Sequence, residues 1–187
     1  MRKITAILVI LVITSVLISL TGCNRAQQYA QEARSSYISA RAVLVGVQEF
    51  PSEMEELLRS QNLDAISGKA HELINDARNL VTPSSSAFRA CKEKCDRLKG
   101  EDSDNFNPYA DKLLELIGLN EQLINAYTEF IGFSNSLAEN RTYNQNPAML
   151  MPALNNLDST AFRIQTLRDQ IAVLEEEAEQ LYQSITK

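Results

Sequence analysis

The chain has 187 residues, a formal charge of −6 at pH 7, no tryptophan and only 6 glycines. An acidic chain of this kind lacks the basic face that phosphates require, which excludes nucleic acid as a partner and excludes docking on anionic lipid through the protein surface. Leu, Ala, Glu and Gln are common and no run of alternating β-branched residues occurs, so the composition is that of helices.

The first element is apolar. Met1-Arg2-Lys3 is a short positive head, residues 4–20 carry no charge, and the small residues Thr21 and Gly22 precede Cys23. Positive head, apolar middle and small-residue exit are the three parts of an export signal. The run of 17 residues reaches about 25 Å as a helix, just short of a typical hydrocarbon core, which argues against an uncleaved span. Leu20-Thr21-Gly22-Cys23 resembles the lipobox of prokaryotic lipoprotein precursors. The resemblance covers residues 1–23 and implies a diacylglyceryl thioether on Cys23, cleavage after Gly22 and a mature chain of 165 residues. Loss of Arg2 and Lys3 moves the formal charge to −8. Acyl chains on one residue hold a protein at a bilayer, because each buried CH₂ contributes about 0.8 kcal/mol and stable anchoring takes two chains. The expected location is the extracytoplasmic face of a cell membrane or outer membrane. Asn24 is not the Asp linked in that family with inner-membrane retention.

A first helix is predicted from Ala26. Ala26, Ala30, Ala33, Tyr37, Ala40, Leu44 and Val47 step by 4 and 3, a heptad seam, and Pro51 is expected to end it. Ser52 with Glu55 reads as the capping box of a second helix, whose seam is Leu63, Ile66, Ala70, Leu73, Ala77 and Leu80. His71-Glu72-Leu73-Ile74-Asn75 has Asn where a His-Glu-x-x-His zinc helix needs its second His, and the chain has no other histidine. Thr82-Pro83 starts a short third helix with Phe88, Cys91, Cys95 and Leu98 on its inward face. For Cys91 and Cys95 three readings stand: a local disulfide favoured by an oxidising compartment, two reduced core thiols, or a bridge between chains. Four residues apart on a helix, their Cβ atoms lie about 5–6 Å apart where a disulfide wants about 3.8 Å.

Residues 100–108, "GEDSDNFNP", form an acidic loop without the ligand spacing of a calcium site. The fourth helix carries Leu113, Leu116, Asn120, Leu123, Tyr127, Phe130, Ser134 and Leu137 on one face. Asn120, Tyr127 and Ser134 are its polar inner positions: they set helix register or line an interhelical pocket. A polar turn holding Asn140-Arg141-Thr142 leads into a last helix over 148–185, with Pro152 in or near its first turn. Its stripe is Leu157, Ala161, Ile164, Leu167, Ile171, Leu174, Ala178, Leu181 and Ile185, where the step 161–164–167 breaks strict alternation.

Two parts follow: a lipoprotein signal over 1–22, then an all-α antiparallel bundle of four long helices and one short one over 23–187. An extended coiled-coil hairpin is the competing shape. No phosphate-cradling glycine loop, no nucleophile elbow and no metal-ligand cluster occurs, so no cofactor and no catalytic role is expected. The function implied is a membrane-tethered binding, scaffold or spacer module of the cell envelope, held through acylated Cys23 and presenting helix faces to a protein partner. The alternative is a ligand-binding or sensory bundle with a pocket at Asn120, Tyr127 and Ser134.

Overall fold

A computed structural model describes residues 25–59, 63–101, 103–139 and 147–186. The expected export signal, Cys23 and the turn expected at Asn140 lie outside these residues. Among the described residues five helices occur: α1 over residues 25–45, α2 (Phe50–Arg59), α3 (Leu63–Gly100), α4 (Asn107–Glu139) and α5 (Pro147–Ile185). Among the described residues there is no strand.

Cross-helix pairs define the topology. Cys91 of α3 reaches the Ala33 carbonyl of α1, Lys99 of α3 pairs with Asp111 of α4, Lys112 and Glu129 of α4 pair with Glu177 and Arg163 of α5, and Arg34 of α1 pairs with Glu179 of α5. Tyr37–Phe88 adds a second α1–α3 pair and Arg41–Glu175 a second α1–α5 pair; in each of these and in α4–α5 one number rises as the other falls, and the short connection after Gly100 turns α4 back along α3, so neighbours run antiparallel. The order around the bundle is α1, α3, α4, α5, closing back on α1. This is an up-down-up-down four-helix bundle with the short helix α2 set into the α1–α3 connection. The 33 residues of α4 make it about 50 Å long.

The short helix is not where the sequence places it. Residues 63–100 form one helix with Pro83 inside, so Thr82-Pro83 starts nothing. Proline in a helix interior costs about 3 kcal/mol through the lost N–H and the ring clash. Here its ring faces solvent, as do its neighbours Asn79 and Thr82, so the orphaned Asn79 carbonyl can be hydrated. The buried positions run unbroken past it: Ala70, Ile74, Ala77, Val81, Ser84, Phe88, Cys91, Cys95 and Leu98, in strict steps of 4 and 3. Burial on that face holds both halves on one axis. Ser84 returns its hydroxyl to the Leu80 carbonyl at 2.8 Å, a bond that tends to bend a helix beside a proline.

α1 likewise ends before Pro51. Four bonds to the third residue back tighten the turn at 46–49: Gly46 to Val43, Val47 to Leu44, Gln48 to Val45 and Phe50 to Val47. Gly46 permits the close approach to α3, since a β-carbon there would sit 3.1 Å from Leu80 Cδ1. Pro51 then lies in the first turn of α2, where a missing N–H has no helical partner to lose. Ser52 does not take the cap position expected of it, because α2 begins at Phe50 and Ser52 lies in its first turn with Oγ donating to the Glu49 carbonyl at 2.9 Å.

The core is a ladder of seams. All seven α1 positions read from sequence are buried, as are all eight on α4. α4 buries fourteen of its 33 residues, which makes it the central helix. On α5 the buried residue is Thr160, its hydroxyl satisfied by the Asn156 carbonyl at 2.8 Å, while Ala161 is only partly covered. With Thr160 in place the α5 seam alternates 3 and 4 from Leu157 to Ile185, so the break expected at 161 does not exist. Edge-to-face rings join the helices at Tyr37–Phe88, with centroids 6.0 Å apart, and at Phe50–Phe130, 5.5 Å apart.

Candidate binding groove

Between α1 and α5 the bundle is not sealed. A groove of about 350 Å³ runs there, walled by Ile38, Ala42 and Val45 of α1 and Ala178 of α5, with Leu113 and Leu116 of α4 as its floor. Ile38 and Val45 are half exposed, at 50% and 51%, whereas Tyr37 and Leu44 on the core seam are buried. They belong to a stripe, Arg34, Ile38, Arg41 and Val45, spaced 4, 3 and 4 and displaced one residue from the core seam. The facing stripe on α5 is Arg168, Ala172, Glu175 and Glu179, at the same spacing.

Charged groups bridge the groove. Arg34 places Nε and Nη2 on one oxygen of Glu179, at 3.0 and 2.9 Å, and its guanidinium lies 4.9 Å from the centre of the Tyr182 ring. Hydrogen bonding to Glu179 raises the Arg34 pKa further. Burial pushes Glu179 up, but hydrogen bonds from Gln183 and Arg34 outweigh it and hold the carboxyl below its ordinary value. Deeper in, Glu175 Oε1 accepts from Tyr37 Oη at 2.7 Å and from Arg41 Nε at 2.9 Å. Burial, then the adjacent Glu175 charge, pushes the Tyr37 phenol well above the usual range, so it stays a donor at any ordinary pH. Arg41 Nη1 is buried and has no hydrogen-bond partner among the described residues.

The three residues read as pocket lining sit elsewhere. Asn120, Tyr127 and Ser134 are fully buried at seven-residue spacing inside α4, and none of them lines the groove. Asn120 reaches it indirectly: its Nδ2 donates to Tyr37 Oη at 3.2 Å and to the Leu116 carbonyl at 2.8 Å, which fixes the phenol that holds Glu175. Asn120 Oδ1, Tyr127 Oη and Ser134 Oγ have no partner among the described residues. Burial raises the Tyr127 phenol as well.

Cys91 and Cys95 are free thiols, both completely buried on a continuous helix. Cys91 Sγ donates to the Ala33 carbonyl at 3.6 Å. Hydrogen bonding between the two thiols lowers Cys91 and raises Cys95, and burial raises Cys95 further. Enclosure of this kind makes thiols inert. His71 Nδ1 lies 2.7 Å from the Ser67 carbonyl one turn back, a local helix bond. Among the described residues no group of three or more His, Cys, Asp and Glu side chains is placed to hold a metal ion.

Sequence reasoning missed the groove although a signal was present. Two bulky apolar residues, Ile38 and Val45, stand seven apart outside the seam, each beside an arginine. An apolar pair at heptad spacing on an otherwise polar face marks a second surface. No family model, no curated protein and no solved structure matches this chain.

Proposed function

We propose that this chain is an extracytoplasmic lipoprotein, tethered to a bilayer through acylated Cys23, and that its bundle is a non-enzymatic binding module whose working face is the α1–α5 groove. The anchor part rests on the Leu20-Thr21-Gly22-Cys23 box and the charged head and apolar run before it. No helix among the described residues is long and apolar enough to cross a membrane. The observation that carries the binding part is the pair Ile38 and Val45, half exposed beside an open groove floored by Leu113 and Leu116. Rigid helices hold that face at fixed spacing, and tethering confines it to the plane in which membrane-bound partners move.

The chemistry of the groove fits a non-catalytic role. The carboxylates of the groove are both engaged by arginine, and no nucleophile stands beside a base there. Intact-mass spectrometry of the native chain tests the anchor. The expected product begins at Cys23 and carries two or three acyl chains; an unmodified product beginning at Met1 overturns the reading.

A further inference from the structure

The α1–α5 groove is short, apolar and electrically balanced, and each property narrows what it can hold. Residues 34–45 of α1 span about 17 Å, too little for a partner helix or a second copy to make a stable contact. A volume of about 350 Å³ lies instead within the range of small-molecule sites, roughly 300–1,000 Å³. Ile38, Ala42, Val45, Leu113, Leu116 and Ala178 present hydrocarbon to it. Among the described residues the charges that line it are Arg34, Arg41, Glu175 and Glu179, bonded arginine to glutamate within the chain at 2.9 and 3.0 Å. Each arginine is already engaged by its own glutamate. An incoming carboxylate or ammonium therefore gains no free counter-charge and still loses its hydration, whereas a neutral molecule loses little. One donor remains. Arg41 meets Glu175 through Nε, and its Nη1 is buried with no hydrogen-bond partner among the described residues. A buried donor in that state costs free energy until an acceptor reaches it.

We propose that the groove is a small-molecule site for an uncharged, mainly apolar compound of on the order of ten non-hydrogen atoms, seated on Leu113 and Leu116 with a carbonyl oxygen turned toward Arg41. The apolar body covers Ile38 and Val45, and the two ion pairs stay intact beside it. The guanidinium of Arg41 turns about its Nε bond to Glu175 to bring Nη1 onto the oxygen. This ligand class rests on the binding-face part of the reading above and not on the anchor.

Photolabelling of the full chain in phosphatidylcholine vesicles tests it. Four probes share an eight-carbon chain with a mid-chain diazirine and differ at one end: methyl ester, carboxylate, trimethylammonium or plain methyl. Peptide mass spectrometry maps the labelled sites. Phe162, 76% exposed and no part of the groove, reports labelling by surface contact alone. The ester is expected to label residues 38–45 and 175–179 saturably and well above Phe162, and excess methyl octanoate to displace it. The carboxylate and the ammonium are expected at the Phe162 level. The plain hydrocarbon is expected to saturate the same sites at about tenfold higher concentration, for want of the bond to a charged donor. A42W, which sets an indole in the groove from an exposed position, is expected to abolish groove labelling and leave Phe162 unchanged, with helical circular dichroism checking the fold. Labelling that does not saturate, that is equal for the charged probes, or that is indifferent to A42W overturns the proposal. A photoreactive benzophenone side chain at position 45 in the native membrane separates it from the wider reading. A polypeptide captured there overturns the small-molecule class and keeps the groove as a binding face; no capture and no probe labelling overturn both. Mass spectrometry at Cys23 reports the anchor independently.

Discussion

The α3–α4 side and the α1–α5 side of this bundle are built by different means. Along α4 most buried residues are bulky, with Leu113, Leu116, Leu123, Tyr127 and Phe130 fully enclosed, and Phe88 and Leu98 of α3 are enclosed as well. Along α1 four of the seven seam residues are alanine, and its join to α5 is made by ion pairs over a groove. Apolar burial stabilises by about 25 cal/mol per Å², so alanines contribute little and the three longer helices carry most of the stability. Exposed ion pairs add roughly 0–1 kcal/mol each. One side is a core; the other is a docking layer set upon it.

Substitutions should separate the two sides in a definite order. Phe130→Ala, on the filled side, is expected to cost about 3–5 kcal/mol in denaturant unfolding. Tyr37→Phe strikes where the sides meet: it removes the hydroxyl between Asn120 and Glu175 and should cost about 1.5–3 kcal/mol, the range for a hydrogen bond to a charged group. Tyr127→Phe removes a buried hydroxyl with no partner among the described residues and should be neutral or stabilising by about 1 kcal/mol. A cost as large as that of Tyr37→Phe would show that the Tyr127 hydroxyl is bonded. Arg34→Ala, on the open side, should cost less than about 1 kcal/mol.

Acidity discriminates as well. The Glu179 pKa in the folded state lies below its unfolded value of about 4.3, so its contribution is present above that pH and lost as pH falls through the folded pKa. The α1–α5 join should therefore loosen first in acid. The phenols of Tyr37, Tyr109 and Tyr127 are all raised, first by burial. Below about pH 10 they ionise in neither state; above it the unfolded chain ionises first, and stability should fall as pH climbs. Phenolate absorbance and helical signal, followed together in an alkaline titration, should change in one step.

How far the sequence could be read follows the same division. Heptad spacing located the core faces of α1 and α4 residue by residue, because apolar periodicity is the cause of burial. It failed at Pro83, where a local rule against proline was outweighed by an apolar face continuing past it. It failed at Thr160, whose hydroxyl is satisfied within its own helix and so packs like an apolar group. Asn120 was legible as an inner polar residue but not as the support of a phenol 83 positions away. The groove depends on which flanks of α1 and α5 meet, a property of the assembled helices rather than of either stripe.

The seal over Cys91 gives this molecule an internal clock. Its sulfur lies under the Ala33 carbonyl, so a thiol-reactive dye reaches it only in molecules whose first helix has swung aside. At a dye concentration low enough that modification is slower than reclosing, the modification rate reads the population of that excursion directly. Any partner that clasps α1 must slow the dye; any force that draws the leading helix away must quicken it.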